Sequence, residues 1–196
     1  QPACNETPYD LTQRRLIDAE LTERAIGFMQ QHAGGAQPFF LYVPLTHLHF
    51  PTLPHPDFAG RSGVGDFADA MIEMDHRVGQ LIDAVDALGI AQDTLFIFAS
   101  DNGPWLSYGD HAGSALPLRE GKGTTFEGGV RVPFVARWPK RIPAGSVVTE
   151  PAMTVDILPT IMKIVSPDWK PNPLRPIDGE DIRPLLFGDT SIKTPH

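Results

Sequence analysis

The chain has 196 residues, 41% hydrophobic and 20% charged, which suits one globular domain or a piece of a larger one. No apolar run approaches the ~18 residues that a membrane-spanning helix needs. With 16 basic against 24 acidic residues the net charge is -8, and basic side chains cluster only as the pairs Arg14-Arg15 and Lys140-Arg141. Nucleic acid and anionic membrane surfaces are therefore not expected partners.

Cys4 is the only cysteine, which excludes an internal disulfide and a cysteine metal site. The chain begins at Gln1 with neither a methionine nor a basic-then-apolar leader, so the native start is expected upstream or removed. The 20 prolines and 18 glycines lie between patterned segments, as in long ordered loops around a regular scaffold.

From Asp10 the pattern is helical: Asp10 is a cap candidate, Gln13 follows three residues on, and Ile17, Leu21, Ala25 and Phe28 share one face. Gly34-Gly35 ends it. Residues 38–45 (PFFLYVPL) form a short aromatic-rich apolar run, which predicts a strand buried on both faces. A loop with His47, His49 and His55 follows. Phe67, Met71, Met74, Val78, Leu81, Val85 and Leu88 then recur in steps of four and three, which predicts a helix over 66–88, capped by Asp66 and stopped by Gly89. Residues 95–100 (LFIFAS) read as a second buried strand and 132–138 as a third. Residues 154–165 read as a helix that tolerates Pro159 near its start. Helix-to-strand alternation predicts an α/β fold with a parallel-rich central sheet flanked by helices.

In open parallel sheets, ligands bind beyond the carboxyl ends of strands, and Asp101-Asn102 ends LFIFAS. A carboxylate and an amide oxygen are hard donors suited to Ca²⁺ or Mg²⁺; equally, Asp-Asn-Gly-Pro is a run of turn formers. Lys122 lies between glycines in REGKGTTFEGG (119–129), where backbone can approach an oxyanion, although a glycine-rich hairpin with an exposed lysine has the same sequence. The spacing is not that of a Walker loop, because Leu116 and Gly123 stand where glycine and serine or threonine are required. In THLHFP (46–51), His47 and His49 follow a strand end and could contact an oxyanion or protonate a leaving group, or one could be packed in a proline-rich loop. No Gly-x-Ser-x-Gly or His-Glu-x-x-His is present.

Taken in order, PFFLYVPLTHLHFP, LFIFASDNGP, GKGTTFEGGVRVPFVARWP, VTEPAMTVDILPTI and DGEDIRPLL resemble the sulfatase family, arylsulfatase A type, within the alkaline-phosphatase superfamily. The resemblance runs from about Leu11 and implies that residues 1–196 are the C-terminal part of a catalytic domain. It implies that Asp101 and Asn102 ligate a divalent cation, calcium ahead of magnesium, and that Lys122 binds the sulfate. His49 is implied to contact the ester near its leaving oxygen, and His47 has a weaker claim on substrate. The implied nucleophile is a formylglycine in a Cys/Ser-x-Pro-x-Arg motif. Cys4 is followed by Asn5-Glu6-Thr7 and does not fit, so the nucleophile and the remaining metal ligands are expected upstream. A small C-terminal subdomain is expected beyond His196, and the chain by itself is expected to be inactive. The resemblance implies a sulfated small molecule or sugar as substrate. A phosphate or phosphonate ester hydrolase of the same superfamily and a non-catalytic binding fragment stand as alternatives. Family habit and calcium preference imply an extracytoplasmic setting: periplasmic, secreted or lysosome-like.

Overall fold

The structure, a computed structural model, describes residues 8–189 and 191–196. Cys4, excluded above as the nucleophile, lies outside the described residues. The chain divides into two compact units, residues 1–91 with 97–135 and residues 92–96 with 136–196.

In the first unit, α1 (Leu11–His32) begins at Asp10, whose side chain accepts the Gln13 amide at 2.8 Å, satisfying one of the orphan donors of a helix start. The face that α1 buries differs from the one marked by its apolar residues. Arg14, Asp18, Thr22, Ala25 and Met29 are buried, whereas Ile17, Leu21 and Phe28 are half-buried. Hydrogen bonding rotates the helix: the Asp18 carboxylate accepts from Thr46 N at 2.8 Å, Thr46 Oγ1 at 2.7 Å and His47 N at 2.9 Å. Buried Arg14 donates to Thr46 Oγ1, to Thr46 O at 3.0 Å and to His49 O at 3.1 Å.

α2 (Asp66–Ala87) packs against α1. Asp66 is the first helical residue and not the cap; Gly65, with φ 110, holds the cap position without a side chain to bond. The other end follows expectation. Gly89 adopts φ 70, its amide bonds Asp86 O at 3.0 Å, and the Ile90 amide reaches Val85 O at 3.3 Å, which together make a Schellman stop. Leu81 and Val85 are buried and Phe67, Met74, Val78 and Leu88 half-buried, while Met71 is exposed. The largest fully buried α2 side chain is again polar: Glu73 accepts from His47 Nε2 at 3.0 Å, from His55 N at 2.6 Å and from Arg77 at 3.2 and 3.3 Å. Burial pushes the Glu73 carboxyl up, but the bonds from His47, His55 and Arg77 and the charge of His47 outweigh it and hold the group below its ordinary value.

The expected strand over 38–45 has no ladder partner among the described residues and so does not form as a strand, since a strand exists only where another pairs with it. Its exposure alternates: Phe39, Leu41, Val43 and Leu45 are half-buried, whereas Phe40 and Tyr42 point to solvent. One face is covered here, not two. The other two strands form as β1 (Phe96–Ala99) and β2 (Phe134–Arg137), paired in a two-stranded antiparallel sheet and not in the expected parallel-rich one.

In the second unit, α4 (Ile157–Val165) carries Pro159 in its first turn, where its missing N–H costs nothing. Asp156, fully buried just before it, accepts from Met153 N at 2.7 Å, Glu180 N at 2.8 Å and His196 Nε2 at 3.0 Å. Burial raises its affinity for a proton, yet these donors more than offset that and hold its carboxyl below the ordinary value.

Gly89, which stops α2, and Gly79 inside it test the backbone argument with opposite signs. Gly89→Ala forces a side chain into a left-handed conformation and should cost about 1 kcal/mol. Gly79→Ala, in the helix interior with nothing within 4 Å of a new Cβ, should stabilise by about 0.5 to 1 kcal/mol. Chemical denaturation of both variants reads the difference. Glu73 supplies a pH test. Because its folded value is depressed, its contribution is fully present above its ordinary value of 4.5 and is lost as pH falls through the folded value. Glu73→Gln should lower stability at neutral pH by about 3 kcal/mol and flatten the acid limb of the stability curve.

Candidate active site

The residues singled out in the sequence come from two loops of the first unit. One is the loop 46–55, held at its start by Asp18 and Arg14 and at His55 by Glu73. The other runs from the end of β1 through Asp101-Asn102-Gly103-Pro104 into 119–129 and the short helical turn α3 (Glu127–Val130). Its two arms are joined by backbone. Gly103 N bonds Gly129 O at 3.0 Å, Lys122 N bonds Pro104 O at 2.8 Å, and Gly128 N bonds Arg119 O at 2.8 Å. A Cβ at Gly103 would overlap Gly128 O, and one at Gly121 would overlap Pro104 O. The glycines are thus required by close main-chain approach, and that approach carries Lys122 to the turn bearing Asp101-Asn102.

His49 is exposed, and its Nδ1 lies 2.7 Å from Phe50 O. A carbonyl only accepts, so Nδ1 carries a proton and Nε2 is left to face a ligand. Lys122 is half-buried, and no carboxylate pairs with its Nζ among the described residues; that atom stands 4.9 Å from the centre of the Trp105 ring. The His49 ring is 5.9 Å from the same indole. Trp105 therefore links the two groups, and it escaped the sequence reading although it follows Asp-Asn-Gly-Pro directly. Such a position carries a signal only when the fold is known, because a tryptophan after a turn has no chemistry of its own.

His47 occupies a different environment. Its side chain is 1% exposed, with Nε2 3.0 Å from Glu73 Oε2 and 3.7 Å from Asp18 Oδ2, and its Nδ1 is buried without a partner. The substrate contact expected of His47 is corrected accordingly: it is a packed histidine that ties the loop to both helices. Asp18, Glu73 and Arg14 were also missed as anchors, since charged residues on a helix ordinarily read as solvated face.

Asp101 is exposed and Asn102 half-buried, and among the described residues no hydrogen bond or ion pair engages either side chain. Ser100 Oγ instead donates to the Asn102 carbonyl at 3.0 Å. Two unengaged hard oxygen donors fit a divalent cation as part of a set, because such ions take six or more ligands. No group of three or more His, Cys, Asp or Glu side chains suited to a metal occurs among the described residues. Two surface concavities, one lined by Tyr9, Asp10, Leu11, Arg14 and Pro51 and the other by residues between Glu180 and Pro195, include none of these side chains.

Comparison with known proteins gives the family of the chain. A sulfatase family model matches residues 2–166. Arylsulfatase A of Bos taurus is 44% identical over 158 residues, 81% of this chain and 30% of that protein. The crystal structure of PsFucS1 sulfatase from Pseudoalteromonas sp. superposes with a TM-score of 0.87 at 30% identity, covering 97% of this chain and 39% of that one. Ps i-CgsB in complex with k-i-k-neocarrahexaose matches with a TM-score of 0.78 at 30% identity, over 97% of this chain and 40% of that one. The chain thus spans 30% of the bovine relative and 39 to 40% of the two solved structures. With an alkaline-phosphatase-like fold shared with these neighbours and a family match over most of its length, the chain belongs to the sulfatase family.

Proposed function

We propose that this chain supplies part of the active site of a sulfuric ester hydrolase that cleaves the sulfate monoester of a small molecule or sugar. The observation that carries the reading is that His49 and Lys122 both border the ring of Trp105, which follows the Asp101-Asn102 turn, in a member of the sulfatase family. A sulfate ester places negative charge on its nonbridging oxygens and, as it breaks, on the departing oxygen. Lys122 is a preorganised, unpaired cation for the former. His49, with Nδ1–H committed to Phe50 O, presents Nε2 to the latter and, when doubly protonated, can donate that proton.

Asp101 and Asn102 would hold a divalent cation, calcium ahead of magnesium, which when bound supplies further electrostatic stabilisation of the sulfate oxygens. A formylglycine is the proposed source of the nucleophile, carried with the remaining ligands by sequence that precedes this chain in the enzyme. In that whole domain, residues 38–45 and 95–100 are proposed as strands of a parallel-rich sheet. Exposed Phe40 and Tyr42 support this, because two aromatic rings on one face of an extended segment call for cover. Among the described residues no helix is long and apolar enough to cross a membrane. An extracytoplasmic setting is proposed from family habit and calcium preference.

In the full-length enzyme, Lys122→Ala should lower turnover by about 10² to 10³, the loss typical of one oxyanion donor. His49→Ala should cost about 10² to 10⁴ with poor alkyl or sugar leaving groups and less with an activated aryl sulfate, whose departing oxygen needs little protonation. A leaving-group series measured where chemistry limits turnover separates the roles. Equal losses across the series for His49→Ala would make His49 a sulfate-binding residue and not the acid.

A further inference from the structure

Beside His49 and Lys122 the surface is aromatic. Trp105 is 40% exposed, Phe50 43% and Leu106 45%. Tyr108 stands edge-on to Trp105 with centroids 4.5 Å apart at 89°, and stacks on Phe50 at 4.5 Å and 14°. His111 meets Phe50 edge-on at 5.9 Å and hydrogen-bonds through Nδ1 to Thr52 Oγ1, which closes the cluster onto the loop that carries His49. Exposed rings held in fixed mutual geometry, with charged groups at their border, are characteristic of a surface that receives a ligand.

We propose that Trp105, Phe50 and Tyr108 form a shelf that receives the leaving group, and that it selects sulfate esters whose ester oxygen is attached directly to a ring with a flat apolar face. The inference rests on the sulfate-ester reading above and follows from adjacency. Nε2 of His49 must reach the ester oxygen, and Lys122 must reach the sulfate. Both groups border the Trp105 ring, at 5.9 Å between ring centres and 4.9 Å from Nζ respectively. The carbon skeleton beyond the ester oxygen then lies against the indole, with Tyr108 edge-on to that ring and Phe50 stacked on Tyr108 as the wall beyond it. An aromatic face stacks on an aryl ring and on the C–H face of a pyranose alike, whereas a short acyclic alkyl group covers little of it. Trp105 also lends Lys122 a cation–π contact, so a purely supporting role for Trp105 predicts a loss shared by every sulfate ester.

The test is binding to the full-length protein, followed through the Trp105 indole N–H resonance, with 2-naphthyl sulfate, a pyranose 3-sulfate and ethyl sulfate as probes. The ring esters should bind about 10-fold more tightly than ethyl sulfate and shift the Trp105 resonance. Trp105→Ala should remove that advantage, the ring esters losing about 10-fold more affinity than ethyl sulfate, Trp105→Phe should retain part of it, and Lys122→Ala should weaken all three probes together. Phe50→Ala, which keeps the carbonyl that His49 uses, should cost the ring esters about 3-fold and is a second measure should Trp105→Ala fail to fold. Comparison of the naphthyl and pyranose probes tells which ring the shelf prefers. Equal losses for ring and acyclic esters on Trp105→Ala, or no loss for any, would overturn the shelf and leave the sulfate-ester reading standing. Failure of every sulfate ester to bind the unaltered protein would overturn both.

Discussion

Two carboxylates on separate helices, Asp18 of α1 and Glu73 of α2, are buried and receive the backbone of the loop between them. Asp18 takes the amides of Thr46 and His47, and Glu73 takes the amide of His55. Arg14 from α1 adds bonds to the carbonyls of Thr46 and His49. A proline-rich loop has few amides of its own to pair, so its polar groups must be met from outside. Here they are met by charged side chains of opposite sign, with two arginines and two acids sharing one interior together with His47. Removal of any member strands the others, and this interdependence defines the loop more sharply than apolar packing would.

The same constraint explains what the sequence did and did not make legible. Periodicity located α2 closely, because its Schellman stop and buried Leu81 and Val85 are local and apolar consequences of the residues themselves. β1 and β2 were likewise readable from short apolar runs. The inward face of α1 was misread, since Arg14 and Asp18 turn inward only to meet a loop about 30 residues away, which no window of periodicity contains. Residues 38–45 read as a strand because their composition is that of one, but a ladder is a property of two segments. His47 and His49 are indistinguishable by spacing, and only burial separates the packed residue from the exposed one.

Charge is distributed in two opposite ways within the first unit. In the helix network every formal charge has a partner: Arg77 meets Glu73, and Asp18 is saturated by three donors. At the other pole Asp101, Asn102 and Lys122 have no side-chain hydrogen-bond or ion-pair partner among the described residues, although they lie in tightly bonded backbone. A paired group is stabilising and inert, whereas an unpaired one held by its main chain keeps its free energy of interaction for a ligand. The scaffold is therefore rigid in the backbone where it is uncommitted in the side chains.

The main-chain junction of Gly103 with Gly129 and of Lys122 with Pro104 has a consequence for how such a protein can change. Between the joined arms, residues 105–118 leave and return at nearly one place, with the stem fixed by hydrogen bonds that no side chain supplies. Their length and composition can thus be exchanged without displacing the lysine or the Asp-Asn turn, much as antibody loops vary on a constant framework. Divergence or grafting of new recognition would be cheapest in this excursion, and a change at any of the stem glycines would be the one that inheritance tolerates least.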